Sequence, residues 1–228
     1  MAPIKIKKTN TIMFNTTKSI IAFIALGISI NASAQNDPKA KTILDDLSKT
    51  TKAYTTIKAE FSFTIEKKDK TKETQNGKIE VKGVKYKLVI PGHEIYCDGK
   101  SVWDFIKDAN EAQIKDMDAG GEDAVNPSNI FTMYEKGFKY KFESEDATKQ
   151  IISLFPNNPD KKKFHTVKLV VDKTKKQISS VKMLMKDGST HTYDIKSFVA
   201  NADMPDTNFV FDKKAHPGVD VEDLRDSK

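Results

Sequence analysis

The segment Ile95-Tyr96-Cys97-Asp98-Gly99-Lys100-Ser101-Val102-Trp103-Asp104-Phe105 sets two short runs of β-branched and aromatic residues around an Asp-Gly dipeptide. Such a dipeptide between alternating runs is a strong hairpin signal, because glycine takes the positive φ that a tight reversal needs. The same period of two continues upstream. Phe61, Phe63 and Ile65 alternate with Ser62, Thr64 and Glu66, and Asn76-Gly77 reads as a turn. Ile79 and Val81 then alternate with charged residues, and Tyr86, Leu88 and Ile90 follow as far as Pro91-Gly92. Glu111 to Met117 reads as a further strand. Downstream, strands are predicted over 138–143, 150–154, 164–171, 178–185 and 190–198, with Phe209-Val210-Phe211 as the last. Asn157-Asn158-Pro159 and Asp187-Gly188 supply turns. About ten short strands joined by hairpins, with no βαβ rhythm, predict a mainly β (α+β) domain: an antiparallel sheet curled into a half-open barrel.

Two helical segments interrupt this pattern. Asp37-Pro38 opens the first, with proline suited to the first helical position. Ala40, Ile43, Leu44, Leu47, Tyr54 and Ile57 then recur at helical spacing. The second follows an acidic link containing Gly120-Gly121. Asn126-Pro127-Ser128 starts a short helix that carries Ile130, Phe131, Met133 and Tyr134, and Gly137 ends it. Four large apolar side chains on a hinged insertion fit a mobile lid over an apolar cavity and a fixed plug equally well.

Residues 1–34 read as an export signal. Lys5, Lys7, Lys8 and Lys18 precede an apolar run from Ile20 to Ile30, and Ala32-Ser33-Ala34 supplies a small-x-small cleavage site. A membrane-spanning helix needs roughly 20 apolar residues, more than this run offers. Met13 is an alternative start. Residues 35–228 are then expected to be a single exported domain, a monomer. The formal charge of the whole chain is +6, of which the leader's lysines contribute four, leaving +2. That balance excludes a nucleic-acid partner, which calls for strongly basic clustered charge. Lysine runs such as Lys67-Lys68-Asp69-Lys70 and Lys161-Lys162-Lys163 fall in turns, where charge runs usually face water.

The residues recommend no chemistry. His93, His165, His191 and His216 are scattered and form no zinc-type spacing. No Gly-x-Ser-x-Gly elbow, Ser-x-x-Lys pair or phosphate loop occurs. The single cysteine, Cys97, sits in a predicted strand and has no partner for a disulfide. Neither an enzyme nor a cofactor or metal site is expected. The apolar inventory says more: 13 Phe, 7 Met, 6 Tyr and 1 Trp. Most Phe lie on alternating strand faces or on the insertion. A sheet whose helices cover its face incompletely leaves a gap that suits a lipid, and flexible methionine adapts to varied ligands.

The order of these elements resembles the periplasmic outer-membrane lipoprotein carrier (LolA) family. The resemblance is carried by Ile57-Lys58-Ala59-Glu60-Phe61-Ser62-Phe63, by the run from Gly77 to Tyr86 and by Tyr96-Cys97-Asp98-Gly99. It continues in Asn126-Pro127-Ser128 at the lid helix and in the tail Phe209-Val210-Phe211-Asp212 with His216-Pro217-Gly218-Val219-Asp220-Val221. The resemblance implies a half-open barrel whose cavity takes the acyl chains of lipoproteins and ferries them from the inner to the outer membrane. Its implied partners are acylated lipoproteins, an inner-membrane lipoprotein-releasing transporter, and an outer-membrane acceptor or the membrane itself. Carriage of another amphiphile (glycolipid, pigment or membrane lipid) and a sensor-type lipid-binding half-barrel are the alternatives. Strand parity then gives the cavity wall as Phe61, Phe63, Ile65, Ile79, Val81, Tyr86, Leu88, Trp103, Phe105, Leu169, Met183 and Met185. The lid is Ile130, Phe131, Met133 and Tyr134. The family's carriers latch the lid with an inner-strand arginine. Here the arginine is Arg225, in the tail, and Lys82 is the latch candidate, offering a point charge in place of a planar fork.

Overall fold

Asp37, the first described residue, caps a helix. Its side chain accepts from the Lys39 and Ala40 amides at 2.8 and 3.2 Å, satisfying two of the donors a helix start leaves open. The structure, a computed structural model, describes residues 37–117 and 132–225. The predicted signal segment and the lid residues Ile130 and Phe131 lie outside the described residues. Helix α1 (Pro38–Lys52) buries Ala40, Leu44 and Leu47. It is shorter than its apolar stripe predicts: Ala53 caps it, and Ile57 opens the first strand. The same Asp37 carboxylate accepts from the Phe142 amide at 3.1 Å, which ties the helix start to the sheet.

The strands are β1 (Ile57–Glu66), β2 (Lys72–Lys82), β3 (Lys85–Ile90), β4 (His93–Cys97), β5 (Ser101–Ile106) and β6 (Glu111–Asp116). After the insertion come β7 (Phe138–Glu145), β8 (Lys149–Pro156), β9 (Phe164–Asp172), β10 (Gln177–Met185), β11 (Thr190–Ala200) and β12 (Asp220–Asp223). They form one 12-stranded sheet in the order β12-β6-β5-β4-β3-β2-β1-β11-β10-β9-β8-β7. Every pairing is antiparallel except β12 with β6. The sheet is open, with β12 and β7 at its two edges, so the half-open barrel expected from the sequence is corrected to an open sheet.

Of two turn signals, one holds and one does not. Asp98-Gly99 does join β4 to β5, with Cys97 opposite Val102. Asn76-Gly77, in contrast, lies inside β2. The β1–β2 reversal is made earlier, where the Lys70 amide bonds to the Lys67 carbonyl at 2.9 Å and Asp69 accepts from Thr71 at 2.9 Å. Gly77 stands opposite Phe61, and a Cβ there would sit 2.5 Å from the phenyl Cζ, so the glycine makes room for the ring. The predicted last strand Phe209-Val210-Phe211 is also corrected. Asp206–Phe209 is a 3-10 turn after Pro205, and Phe209 is fully buried by packing without a strand ladder.

Register sorts the side chains onto two faces. One face, here the helix face, carries Phe138, Tyr140 and Phe142 on β7, Ile152 and Leu154 on β8, and Val167 and Leu169 on β9. It continues through Val181 and Met183 to Tyr193, then to Phe61 and Phe63 on β1. Helix α1 packs on this face against β7 and β10. The opposite, outer face is covered elsewhere. The C-terminal segment crosses it at β3 and β4, and its Phe211 and Val219 pack with Tyr96, Phe105 and Ala112.

Candidate functional site

On the helix face of β1–β5 the register lines up apolar residues in rows. Ile57, Val81, Tyr86, Cys97 and Val102 form one row. Ala59, Ile79, Leu88 and Ile95 form the next, ending at Asp104. Phe61 and Gly77 lead a third, toward Ile90 and His93. The row bases are buried, with Ile79, Val81 and Tyr86 each at 5–6% exposure. Phe63, Ile65, Leu88, Ile90, Ile95 and Val102 are only half-buried. Phe63 stacks on Tyr193 with centroids 4.6 Å apart, and Tyr193 joins this cluster to the one beneath α1. Burial pushes the Tyr86 phenol up to about 12 and raises the Cys97 thiol. Both groups therefore stay neutral, as an apolar surface requires. The polar rim is His93, whose Nδ1 lies 2.8 Å from Asp104.

Most of the expected wall is brought together here. Phe61, Phe63, Ile65, Ile79, Val81, Tyr86 and Leu88 share the helix face of β1–β3. Leu169, Met183 and Met185 are on the same face but belong to the cluster that packs beneath α1. Trp103 and Phe105 are a correction. Trp103 pairs with Tyr96 and Phe105 with Glu94, which places both on the outer face with Phe211. Their phase is set by the loop between β4 and β5, which puts Cys97 and Val102, not Trp103, on the face of Tyr86. The residues missed were Ile90, Ile95, Val102 and Tyr193, each signalled only by its pairing partner.

The lid and latch candidates are only partly described. Met133 opens a short 3-10 turn (Met133–Glu135), and Tyr134 is buried at 2% within the α1 cluster. Glu135 fixes that turn to α1 through Lys52 at 2.8 Å and Ser48 at 2.5 Å. Lys82 reaches the C-terminal segment, 2.8 Å from Asp206 and 2.9 Å from the Met204 carbonyl. It lies on the outer face, opposite Lys85, away from the lid turn.

No group of three or more His, Cys, Asp or Glu side chains among the described residues is placed to hold a metal. No described helix is long and apolar enough to cross a membrane.

Comparison with known proteins agrees with this architecture. An uncharacterized conserved protein from Thermus thermophilus superposes with a TM-score of 0.54 at 12% identity, covering 82% of this chain and 99% of that one. A LolA superfamily protein from Nitrosomonas europaea superposes with a TM-score of 0.44 at 13% identity, covering 76% and 98%. No curated protein matches in sequence. The model of the family described as outer membrane lipoprotein carrier protein LolA matches residues 30–188. That span holds α1, the strands from β1 to β10 and therefore the buried residues of both apolar clusters of the helix face, and the chain belongs to this LolA family.

Proposed function

We propose that the half-covered helix face of β1–β5 binds the acyl chains of a lipoprotein, and that the protein carries them through the periplasm from the inner to the outer membrane. The observation that carries this reading is the contrast in cover along one continuous apolar face. Beneath α1 the side chains of Ile152, Leu154, Val167 and Leu169 are all at 0% exposure. On β3–β5 Leu88, Ile90, Ile95 and Val102 remain half-buried. Each methylene moved from water onto such a surface contributes ~0.8 kcal/mol. A long chain therefore gains on the order of 10 kcal/mol by the same measure. A surface that is already partly covered gives less than that, which keeps loading reversible. Phe61, Phe63, Ile79, Val81, Tyr86 and Leu88 form the wall in this reading, with Ile90, Ile95 and Val102 added. The donor is an inner-membrane lipoprotein-releasing transporter, and the acceptor is at the outer membrane.

The test is incubation of the processed protein with a membrane-embedded triacylated lipoprotein, followed by mass spectrometry of the soluble fraction. An equimolar soluble complex is expected, and Leu88→Asp or Ile95→Asp abolishes it while the sheet remains folded. Absence of any complex with the unmodified protein sinks the proposal. A free phospholipid or glycolipid in place of the lipoprotein redirects it to carriage of another amphiphile.

A further inference from the structure

The outer face treats its lysines in two different ways. On β1 and β2, Lys58 stands directly opposite Glu80 and Lys78 opposite Glu60, and both pairs form ion pairs, at 3.0 and 2.8 Å. On the other half of the sheet the corresponding row reads Lys141, Ser153, Lys168, Lys182 and Thr192 across β7 to β11. Lys168 and Lys182 are directly opposite each other. Like charges at that spacing destabilise a sheet. None of Lys141, Lys168 and Lys182 makes an ion pair or side-chain hydrogen bond with another described residue. Asp194, one row away opposite Ser180 and Ser62, pairs with none of them. Lysine on the edge strand β7 guards against edge-to-edge association and accounts for Lys141. Lys168 and Lys182 lie three and four strands in, where that reason does not apply.

A second, independent feature sits in the same row. Ser153 is 1% exposed, and its hydroxyl has no hydrogen-bond partner. Its cross-strand neighbours are Lys141 and Lys168. A buried hydroxyl without an acceptor is a cost that native sheets avoid. An anionic oxygen drawn between the two lysine stems would supply that acceptor and offset the repulsion of the row.

We propose that the outer face of β8–β10 is a docking surface for an anionic lipid bilayer, centred on Lys141, Lys168 and Lys182. Two observations select phospholipid headgroups over an acidic protein. The cluster is built of lysine alone, which serves phosphate as a point charge, whereas planar bidentate recognition of carboxylates favours arginine. The described arginine, Arg225, is paired with Asp223. Protein interface cores are also depleted of lysine, while a row of basic side chains across neighbouring strands suits a layer of phosphates. Phe155, 37% exposed one row away beside Lys139, adds an apolar side chain that can enter the headgroup boundary. This surface lies on the face opposite the acyl-binding candidate, so either proposal can fail without the other.

The test is co-sedimentation of the processed protein with vesicles of phosphatidylcholine alone and of phosphatidylcholine with one quarter phosphatidylglycerol. Binding is expected only to the anionic vesicles and is lost as salt rises from about 0.05 to about 0.5 M. The Lys168→Thr/Lys182→Thr variant is expected to bind about thirtyfold more weakly and at the same time to melt at a higher temperature, because the like-charge pair is gone. A Lys175→Thr/Lys176→Thr control, in the β9–β10 turn, keeps its binding. Equal binding by the unmodified protein and the Lys168/Lys182 variant, equal losses in both variants, or no vesicle binding at all would overturn the proposal. So would lysine-dependent binding to polyglutamate with none to vesicles, which reassigns the face to an acidic protein.

Discussion

The two halves of the sheet are covered on opposite sides. Strands β7–β11 receive α1 on the helix face and present the exposed Lys141 and Lys182 on their outer face. Strands β3–β6 receive the C-terminal segment on the outer face, while the helix face of β1–β5 keeps half-exposed apolar side chains. One cover per half suffices to bury two cores, and among the described residues it leaves two surfaces with less cover, one apolar and one basic. The difference teaches that the same apolar rows serve stability in one half and offer a ligand surface in the other, according to what lies above them.

The largest expected effect tests that division directly. Leu169→Ala, beneath α1, is expected to cost about 3 kcal/mol in urea denaturation, because a closed core keeps the cavity. Leu88→Ala, on the half-covered face, is expected to cost about 1 kcal/mol because less area leaves water. Equal costs would show that β3 is as closed as β9 and would break the comparison. Next in size is stabilisation by ligand. A triacylated lipopeptide at a hundredfold excess over its Kd contributes about 2.7 kcal/mol. The resulting rise in melting temperature should vanish in Ile95→Asp and persist in Ile43→Asp, whose side chain belongs to the covered cluster. A shift that Ile43→Asp removes and Ile95→Asp does not would move the site to the wrong half.

A smaller effect sharpens the picture at the junction of the halves. Gly77→Ala would bring a methyl to 2.5 Å from the Phe61 ring. A fully packed neighbourhood makes such overpacking cost about 1–3 kcal/mol. On a half-covered face the ring can tilt outward, so the low end of that range is expected. Phe61→Leu with Gly77→Ala should recover most of the loss, and failure of that rescue in thermal melts would locate the strain in the backbone.

How much of this was legible in the sequence follows from what periodicity measures. Alternation along Phe61, Phe63 and Ile65 correctly groups them, because neighbours two apart must share a face. Alternation does not say which face a later strand inherits. That phase depends on loop length, and the loop at Asp98-Gly99 puts Trp103 and Phe105 with Tyr96 in place of Tyr86. Asn76-Gly77 has the composition of a hairpin turn, and only the cross-strand position of Phe61 explains why the glycine belongs inside a strand. The open form of the sheet was also hidden, since barrel and sheet share one strand pattern and differ only in whether the edges β7 and β12 meet.

The smallest effect concerns the cover on the outer face. Lys82 and Lys85 bond to Asp206 and hold its carboxyl down from the ordinary 3.8 to about 2. A carboxylate whose folded pKa is depressed contributes stability that is present above its unfolded pKa and is lost as pH falls through the folded one. The C-terminal segment should therefore loosen between about pH 5 and about pH 2. The side chain is largely exposed, at 59%, so solvent screening keeps the effect small. Hydrogen exchange at the amides of Phe209 and Phe211 is the sensitive measure. Asp206→Asn should raise their exchange at neutral pH and flatten its acid dependence, while amides on β8 and β9 stay unchanged. Parallel acid profiles for the variant and the unmodified protein would show that apolar burial of Phe209 and Phe211 alone holds this cover, independent of the lysines beneath it.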